Sequence, residues 1–211
     1  MNSNATPQRL TDRKRAAIVE AAVDEFIAAG YDATSMDRIA ARAGVSKRTV
    51  YNHFESKEAL FAAILHRLWD ASDAGDAPAY SADEPLRAQL LALLTRKLRL
   101  MNDEAFLSLA RVAIAAGIHS PERARDMVAR IGEREEDVTL WIRKAAADGR
   151  LAVADPVFAG QQLHGIVKGF AFWPQVTMGQ PPLTKAEQKK VAETAADMFL
   201  ARYEHVPTRK R

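Results

Sequence analysis

The sequence contains no cysteine, few aromatic residues and no long apolar run. The absence of cysteine excludes a disulfide scaffold, a thiolate metal site and cysteine-based catalysis, and it fits a reducing compartment. No stretch approaches the ~18 consecutive apolar residues of a membrane span, and the polar residues 1–15 lack the apolar segment of a secretory signal. We therefore expect a cytoplasmic protein without membrane association.

Signatures of enzymes are missing as well. The sequence has no G-x-S-x-G, G-x-x-x-x-G-K-[ST] or H-E-x-x-H motif. Its histidines are scattered, and none follows a glutamate by three positions as in a di-metal carboxylate bundle. We expect no catalytic residues, no metal and no cofactor. A small enzyme and a helical protein-interaction module nevertheless stay open as alternatives.

Charge is modest overall but unevenly placed. The formal net charge is +3, and hydrophobic residues make up 48% of the 211 residues, which suits one or two globular domains. Residues 38–57 hold five cations against Glu55 alone, and residues 9–15 hold four against Asp12. Short basic runs are usually solvated surface, so they indicate a nucleic-acid partner only where local structure supports one.

Apolar residues recur at helical spacing and strand signals are weak, so the sequence predicts an all-α protein. Residues 1–11 are expected to be a disordered arm and residues 206–211 a disordered basic tail. The polar stretch 72–85 predicts a linker or loop between two helical parts. Helices are predicted over residues 12–29, 36–43, 47–54, 56–71, 86–101, 103–119, 121–148, 156–176 and 184–203.

Helix ends are marked by recognisable residues. Gly30 can end the first helix with a positive φ. Ser46 is a good N-cap, and Val45 and Val50 have the spacing of a hydrophobic staple around it. Later helix starts are marked by Ser120-Pro121, Asp155-Pro156 and the capping box of Thr184 with Glu187.

Residues 34–60 (TSMDRIAARAGVSKRTVYNHFESKEAL) carry the strongest functional signal. They predict two short amphipathic helices joined by a tight turn at Gly44, as in a helix-turn-helix whose second helix enters the DNA major groove. Val45, Val50 and Phe54 are expected to face inward. The opposite face then offers hydrogen-bond donors to phosphates and base edges through Lys47, Arg48, Thr49, Asn52 and His53.

Residues 13–60 resemble the N-terminal domain of the TetR family of bacterial transcriptional regulators. The resemblance rests on Phe26, Gly30-Tyr31, Thr34-Ser35, Ile39-Ala40, Ala43-Gly44-Val45-Ser46, Tyr51, His53-Phe54 and Lys57-Glu58-Ala59-Leu60. Residues 148–151 and 165–174 are similar to the C-terminal region of AefR-like members. The resemblance implies a three-helix DNA-binding domain over residues 12–57 and a helical bundle over residues 58–205 for effector binding and dimerisation.

The resemblance also implies contacts with double-stranded DNA. Tyr51 and Lys57 should contact phosphates, and Lys57 lies in a first helical turn that favours one. Thr34 and Ser35 should hold the DNA backbone from the other side. The groove-facing set is Ser46, Lys47, Arg48, Thr49, Asn52 and His53.

Alternatives stay open for several of these residues. Arg48 stands where many family members have glycine, and it could bind a guanine or a phosphate, which leaves the operator sequence undefined. Arg38 and Arg42 could read bases, or they could be surface cations, solvated or paired with Asp37. Tyr51 could instead be a core aromatic.

For the C-terminal part, the resemblance implies a homodimer and a small-molecule effector. The candidate dimer interface is Phe172, Trp173, Val191, Ala195, Met198 and Phe199. The candidate effector pocket is Leu98, Phe106, Ala110, Arg111, Trp141, His164 and Phe170. Any of these could be monomer core. The predicted function is a repressor that an effector releases from a pseudo-palindromic operator, although an activator or a constitutive repressor fits the same residues.

Overall fold

The computed structural model describes residues 7–72, 80–118, 120–131 and 137–205. Over these ranges the protein is helical, with an isolated antiparallel bridge between Leu151 and Glu204. The all-α prediction is confirmed. The helices are α1 (Pro7–Ala33), α2 (Met36–Arg42), α3 (Lys47–His53), α4 (Lys57–Ser72), α5 (Leu86–Met101), α6 (Glu104–Ile118), α7 (Pro121–Ile131), α8 (Asp137–Ala147), α9 (Pro156–Ala171), α10 (Trp173–Thr177) and α11 (Lys185–Tyr203).

The start of α1 corrects the predicted arm. Residues 7–11 are helical, and proline suits the first helical position because its missing N–H would have no partner there. Residues 1–6 lie outside the described residues, as does the predicted tail 206–211. The helical geometry of α1 breaks at Gly30, whose φ of 78° and ψ of 174° produce a kink where the helix was predicted to end.

The predicted helix over residues 121–148 is described as α7 and α8. Residues 132–136, which would connect them, lie outside the described residues. Of the predicted linker 72–85, residue 72 belongs to α4 and residues 73–79 are also outside the described ranges.

The predicted helix over residues 156–176 is interrupted at Phe172, and this prediction is wrong. Pro174 has no N–H to donate to the carbonyl of Phe170 four residues earlier, and in a continuous helix its ring would clash with that carbonyl. The side chain of Gln175 supplies the missing donor, since its Nε2 lies 3.1 Å from the Phe170 oxygen. α10 therefore begins as a new helix with proline in its first turn.

The chain divides into two compact units. Unit 1 comprises Met1–Leu68 with Ser108–Glu133, and unit 2 comprises Trp69–Leu107 with Arg134–Arg211. This division differs from the predicted boundary after residue 57. The difference arises because α4 and α6 contribute side chains to the same core as α1 and α2. These side chains are Leu60, Phe61, Leu109 and Ala116.

The helices of unit 2 hold the short segment before α5 in place. Gln89 is 1% exposed, and its Nε2 donates to the carbonyls of Ser81 and Glu84. Arg150 donates to the carbonyls of Ser81, Ala82 and Glu84. These contacts explain part of the 148–151 motif, since Gly149 turns the chain with a φ of 71° and so aims Arg150 at the segment.

No helix within the described ranges is both long and apolar enough to cross a membrane.

Candidate nucleic-acid interface

α2 and α3 form a compact helix-turn-helix in unit 1. Ser35 caps α2 by accepting from the Arg38 N–H, and Ser46 caps α3 by accepting from the Thr49 N–H at 3.1 Å. Between the helices, Gly44 has a φ of 65°, which residues with an L side chain rarely adopt. The predicted turn and N-cap are therefore present.

One side of α3 is anchored in the core of unit 1. Val50 is fully buried and Phe54, which caps the C-terminal end of α3, is 5% exposed. Val45 packs against the same cluster. These three residues face inward as predicted.

The other side of α3 faces solvent and is rich in hydrogen-bond donors. Tyr51 is 46% exposed, so the alternative of a core aromatic does not hold. Thr49 and His53 are half-buried. The exposed members of the predicted DNA-binding set are Ser35, Ser46, Lys47, Arg48, Tyr51 and Asn52.

A carboxylate from α2 lies beside this surface. The Lys47 ammonium is 2.8 Å from a carboxylate oxygen of Asp37. The hydrogen bond to Asp37 raises the pKa of Lys47 above its usual value. Both side chains are more than half exposed, so a phosphate oxygen can compete with Asp37 for the ammonium.

Thr34 and Lys57 lie in a different environment from the one that the resemblance implies. Thr34 is 2% exposed, and its hydroxyl is within 3.0 Å of the Glu25 carbonyl and 2.7 Å of the Gly30 carbonyl. The Lys57 ammonium donates to the carbonyls of Tyr31 and Thr34 at 2.8 and 3.0 Å. Both side chains thus bind the backbone around the α1–α2 connection, and their contact with phosphates stays a prediction.

Arg38 and Arg42 are ion-paired, but not with Asp37. Their Nε atoms each lie 2.8 Å from a different oxygen of Glu25 in α1, and Arg42 also reaches Asp24 at 3.3 Å. Glu25 is 5% exposed, and its hydrogen bond to Arg42 is the main reason that its pKa is lowered. This bridge fixes α2 on α1.

Three aromatic rings fix α4 against α1. Tyr31 stacks on Phe26 with ring centroids 5.7 Å apart, and Phe61 meets both rings edge-on. The Tyr31 hydroxyl donates to Glu58 at 2.8 Å, and the Lys57 ammonium lies 4.4 Å from the centre of the Tyr31 ring. Tyr31 therefore links the kinked end of α1 to the first turn of α4.

The sequence analysis does not single out Glu25 or Arg15, although the position of Glu25 in the sequence does indicate a role. Glu25 lies seven residues after Ile18 and three after Ala22, so it falls on the buried stripe of α1. A carboxylate on such a stripe requires a partner. Arg15 lies over the Phe54 ring at 4.9 Å, a contact that only the tertiary packing reveals.

The predicted effector-pocket residues are distributed over both units. Ala110 and Arg111 belong to unit 1, whereas the other five belong to unit 2. Within unit 2, Phe170 is 59% exposed, and the remaining four are buried, namely Leu98, Phe106, Trp141 and His164. A pocket shared by these seven side chains stays a prediction.

Two of the buried residues make specific polar contacts. Trp141 Nε1 donates to Gln89 at 3.2 Å. His164 Nε2 lies 2.7 Å from the Lys97 ammonium, and because an ammonium only donates, this nitrogen accepts. Unit 2 thus holds a polar pair between α5 and α9 in apolar surroundings.

The predicted dimer residues divide between surface and core. Ala195 and Phe199 are 0% and 4% exposed, so they belong to the core of unit 2 rather than to an interface. Trp173 and Met198 are 45% and 55% exposed, and Phe172 and Val191 are half-buried. A groove of about 620 Å³ lies between α9 and α11, and it is lined in part by Gly165, Ile166, Gly169, Phe170, Val191 and Met198.

Among the residues that the structure describes, no group of three or more histidine and carboxylate side chains could hold a metal ion.

Comparison with known proteins places this geometry in a family. Residues 18–64 match the bacterial regulatory proteins of the tetR family. Residues 88–205, more than half of the chain, match the AefR-like transcriptional repressor C-terminal domain. The chain belongs to the TetR family. TetR-family proteins are DNA-binding transcriptional regulators rather than enzymes.

Similar proteins cover most of this TetR-family chain. A regulator from Pseudomonas syringae pv. tomato is 54% identical, with a TM-score of 0.78, and the match covers 92% of this chain and 98% of that one. The flavonoid-responsive regulator FrrA is 28% identical, with a TM-score of 0.71 and coverage of 93% and 99%. The transcriptional regulator RutR of Escherichia coli is 30% identical over 151 residues, which are 70% of this chain and 69% of RutR.

Proposed function

We propose that the protein is a cytoplasmic repressor that binds a pseudo-palindromic operator as a homodimer and is released by a small, largely apolar effector. The observation that carries the proposal is the exposed, donor-rich side of α3. The opposite side is held in the core by Val50, and the buried Phe54 caps the C-terminal end of the helix. A protein-interaction module would not need this concentration of donors. Repression, as opposed to activation, is supported by the match of residues 88–205 to a repressor domain.

We assign the proposed DNA contacts to residues according to how exposed their side chains are. Arg48 and Asn52 are exposed on α3 and can reach base edges, whereas Ser46, Thr49 and Tyr51 offer hydroxyls to phosphates. Lys47, His53 and Ser35 complete the contact surface. Lys57 and Thr34 are assigned an indirect role, because they hold the connection that orients α2.

Homodimerisation is supported by the apolar groove between α9 and α11. Phe170 and Met198 expose more than half of their surface there. Gly165 and Gly169 lie one helical turn apart on α9, and a Cβ at either position would meet open space. A helix of a second copy could therefore approach closely, and a four-helix contact around a two-fold axis would bury this face.

An effector is supported by the likeness of the whole chain to FrrA, a flavonoid-responsive regulator. Unit 2 also offers apolar side chains with a few polar groups such as the Lys97–His164 pair, the usual chemistry of a small-molecule site. The two α3 helices of a dimer would need a spacing of ~34–36 Å to read successive half-sites. An effector that prefers another spacing would lower operator affinity by linkage, typically by ~1–3 kcal/mol.

The deciding experiment is selection of bound sequences from random duplex DNA with the purified protein. We expect a pseudo-palindromic consensus, and we expect Arg48→Ala to alter the preferred bases with a loss of ~1–3 kcal/mol at the affected position. Arg99→Ala, an exposed arginine on α5, is the matched control and should leave the consensus unchanged. An Arg48→Ala consensus identical to that of the wild type would show that Arg48 does not read bases. No enrichment by the wild type would refute DNA recognition altogether.

A further inference from the structure

The first turns of α1 carry cations that the proposed function has not used. Arg13, Lys14 and Arg15 are exposed, and Asp12 is the acidic residue next to them. Among the described residues, neither Arg13 nor Lys14 forms an ion pair. This basic segment, Arg13 to Arg15, therefore keeps its positive charge directed to solvent.

Arg15 connects the basic segment to α3. Its guanidinium carbon lies 4.9 Å from the centroid of the Phe54 ring. Phe54 caps α3, where its N–H donates to the Val50 carbonyl at 2.9 Å, and its ring lies 6.4 Å from that of His53. Arg15, the last residue of the basic segment, thus lies at the C-terminal end of α3.

Most other cations near α3 are already bound within the protein. Arg38 and Arg42 form ion pairs with Glu25, and Lys47 forms one with Asp37. Lys57 donates to backbone carbonyls. A phosphate must compete with those contacts, whereas it can bind Arg13 and Lys14 without displacing an ion-pair partner. The basic segment consequently adds positive charge that is available to a polyanion.

We propose that the basic segment is an accessory duplex-DNA contact, in which Arg13 and Lys14 bind phosphates next to the base pairs that α3 reads. Arg15 positions the segment through its contact with Phe54. The contact depends on charge and not on base identity, because long cationic side chains without fixed partners bind phosphate oxygens in many geometries. This inference rests on the proposed function, since it requires α3 to lie on DNA.

The test is the salt dependence of binding to the operator selected by the wild type. Removing one interaction with a phosphate lowers the slope of log K against log salt concentration by about 0.9, so Arg13→Gln with Lys14→Gln should lower it by up to about 1.8 per protomer. The selected consensus should not change. Lys185→Gln with Lys189→Gln, two exposed cations of α11, removes the same charge and should leave the slope at the wild-type value.

A charge-conserving variant guards against a folding defect. Arg13→Lys with Lys14→Arg should keep the wild-type slope, and the thermal melting of all three variants should match that of the wild type. A wild-type slope in the Gln variant, or an equal drop in the α11 control, would overturn the accessory contact while leaving the proposed function intact. A changed consensus would also overturn it, because the segment would then read bases. Absence of any specific wild-type binding would instead remove the proposed function.

Discussion

Glu25 shows how one buried side chain can determine the geometry of a surface. Its carboxylate receives Arg38 and Arg42 from α2 at 2.8 Å each, while 5% of the residue is exposed. Leaving a buried carboxylate without partners is costly, so α2 cannot move away from α1 without a penalty. The orientation of the helix-turn-helix on α1 thus depends on a residue that would not itself contact DNA.

The lowered pKa of Glu25 leads to a prediction about acid stability. A carboxylate whose folded pKa lies below its unfolded value, about 4.3, stabilises the fold fully above that pH and loses the contribution as the pH falls through the folded pKa. We expect Glu25→Gln to melt at a lower temperature than the wild type at pH 7. The difference in melting temperature between the two proteins should become smaller below pH ~4. Thermal unfolding monitored by circular dichroism measures it. A difference that is constant from pH 7 to pH 3.5 would contradict this account.

Lys57 gives a second prediction at this scale. Lys57→Met keeps the aliphatic stem but removes the donations to the Tyr31 and Thr34 carbonyls, so unfolding should become easier by roughly 2 kcal/mol. Operator affinity should fall, but the salt slope of binding should not change. Denaturant unfolding and binding titrations check both, with exposed Lys189→Met on α11 as the control. A slope lower by about 0.9 per protomer would instead indicate a direct phosphate contact.

Residue types alone could identify the exposed donors of α3 but not the internal contacts of Thr34 and Lys57. A threonine before a helix and a lysine in a first turn suit a surface role as well as a buried one. Whether the side chains of Thr34 and Lys57 point inward depends on the kink of α1 at Gly30, because the kink brings backbone carbonyls towards both of them. That information lies in the tertiary packing.

The short helices α2 and α3 depend on the turn between them. Gly44 has a φ of 65°, and a Cβ there would meet nothing within 4 Å, so the cost of a substitution is confined to the backbone. We expect Gly44→Ala to destabilise the protein by about 1–2 kcal/mol. The stability of Gly44→Asn should lie between those of the wild type and Gly44→Ala, because asparagine tolerates positive φ better than alanine. Chemical denaturation gives the order, and equal stability of the alanine and glycine forms would exclude a conformational requirement.

Helix starts were predicted better than helix continuity. Ser46, Asp155 and Thr184 each cap a helix through the side chain, because capping is a local interaction that the sequence displays directly. The break before α10 was also signalled, by Pro174 inside the predicted helix. Apolar periodicity nevertheless continues across this proline, and it favours an unbroken helix.

The molecule as a whole is proposed to work as a dimer. Phe170→Glu with Met198→Glu would put charge into an apolar contact, so this double variant should be monomeric at micromolar concentration and bind a two-half-site operator much more weakly. Sedimentation velocity measures the first effect and titration the second. Leu140→Glu, at a position 41% exposed on α8, is the control and should remain dimeric. A dimeric double variant would place the interface elsewhere.

At this scale, the sequence predicted the fold class and the family but not the composition of the two units. Leu109 and Ala116 of α6 pack in unit 1 although the chain reaches them only after α5. Residue types alone indicate the candidate effector residues, but Ala110 and Arg111 belong to a different unit from Trp141 and His164. Such long-range assignment needs coordinates, because helical periodicity reveals which side of a helix is buried but not against which partner.

The pairing of Pro174 with Gln175 constrains how this sequence can drift. The glutamine amide does the work of the backbone N–H that proline lacks, since it donates to the Phe170 carbonyl. Relatives that lose the glutamine should therefore tend to lose the proline as well. A change at 175 alone removes the donor to the Phe170 carbonyl, whereas a change at 174 alone restores the backbone N–H, so loss of the proline should come before loss of the glutamine.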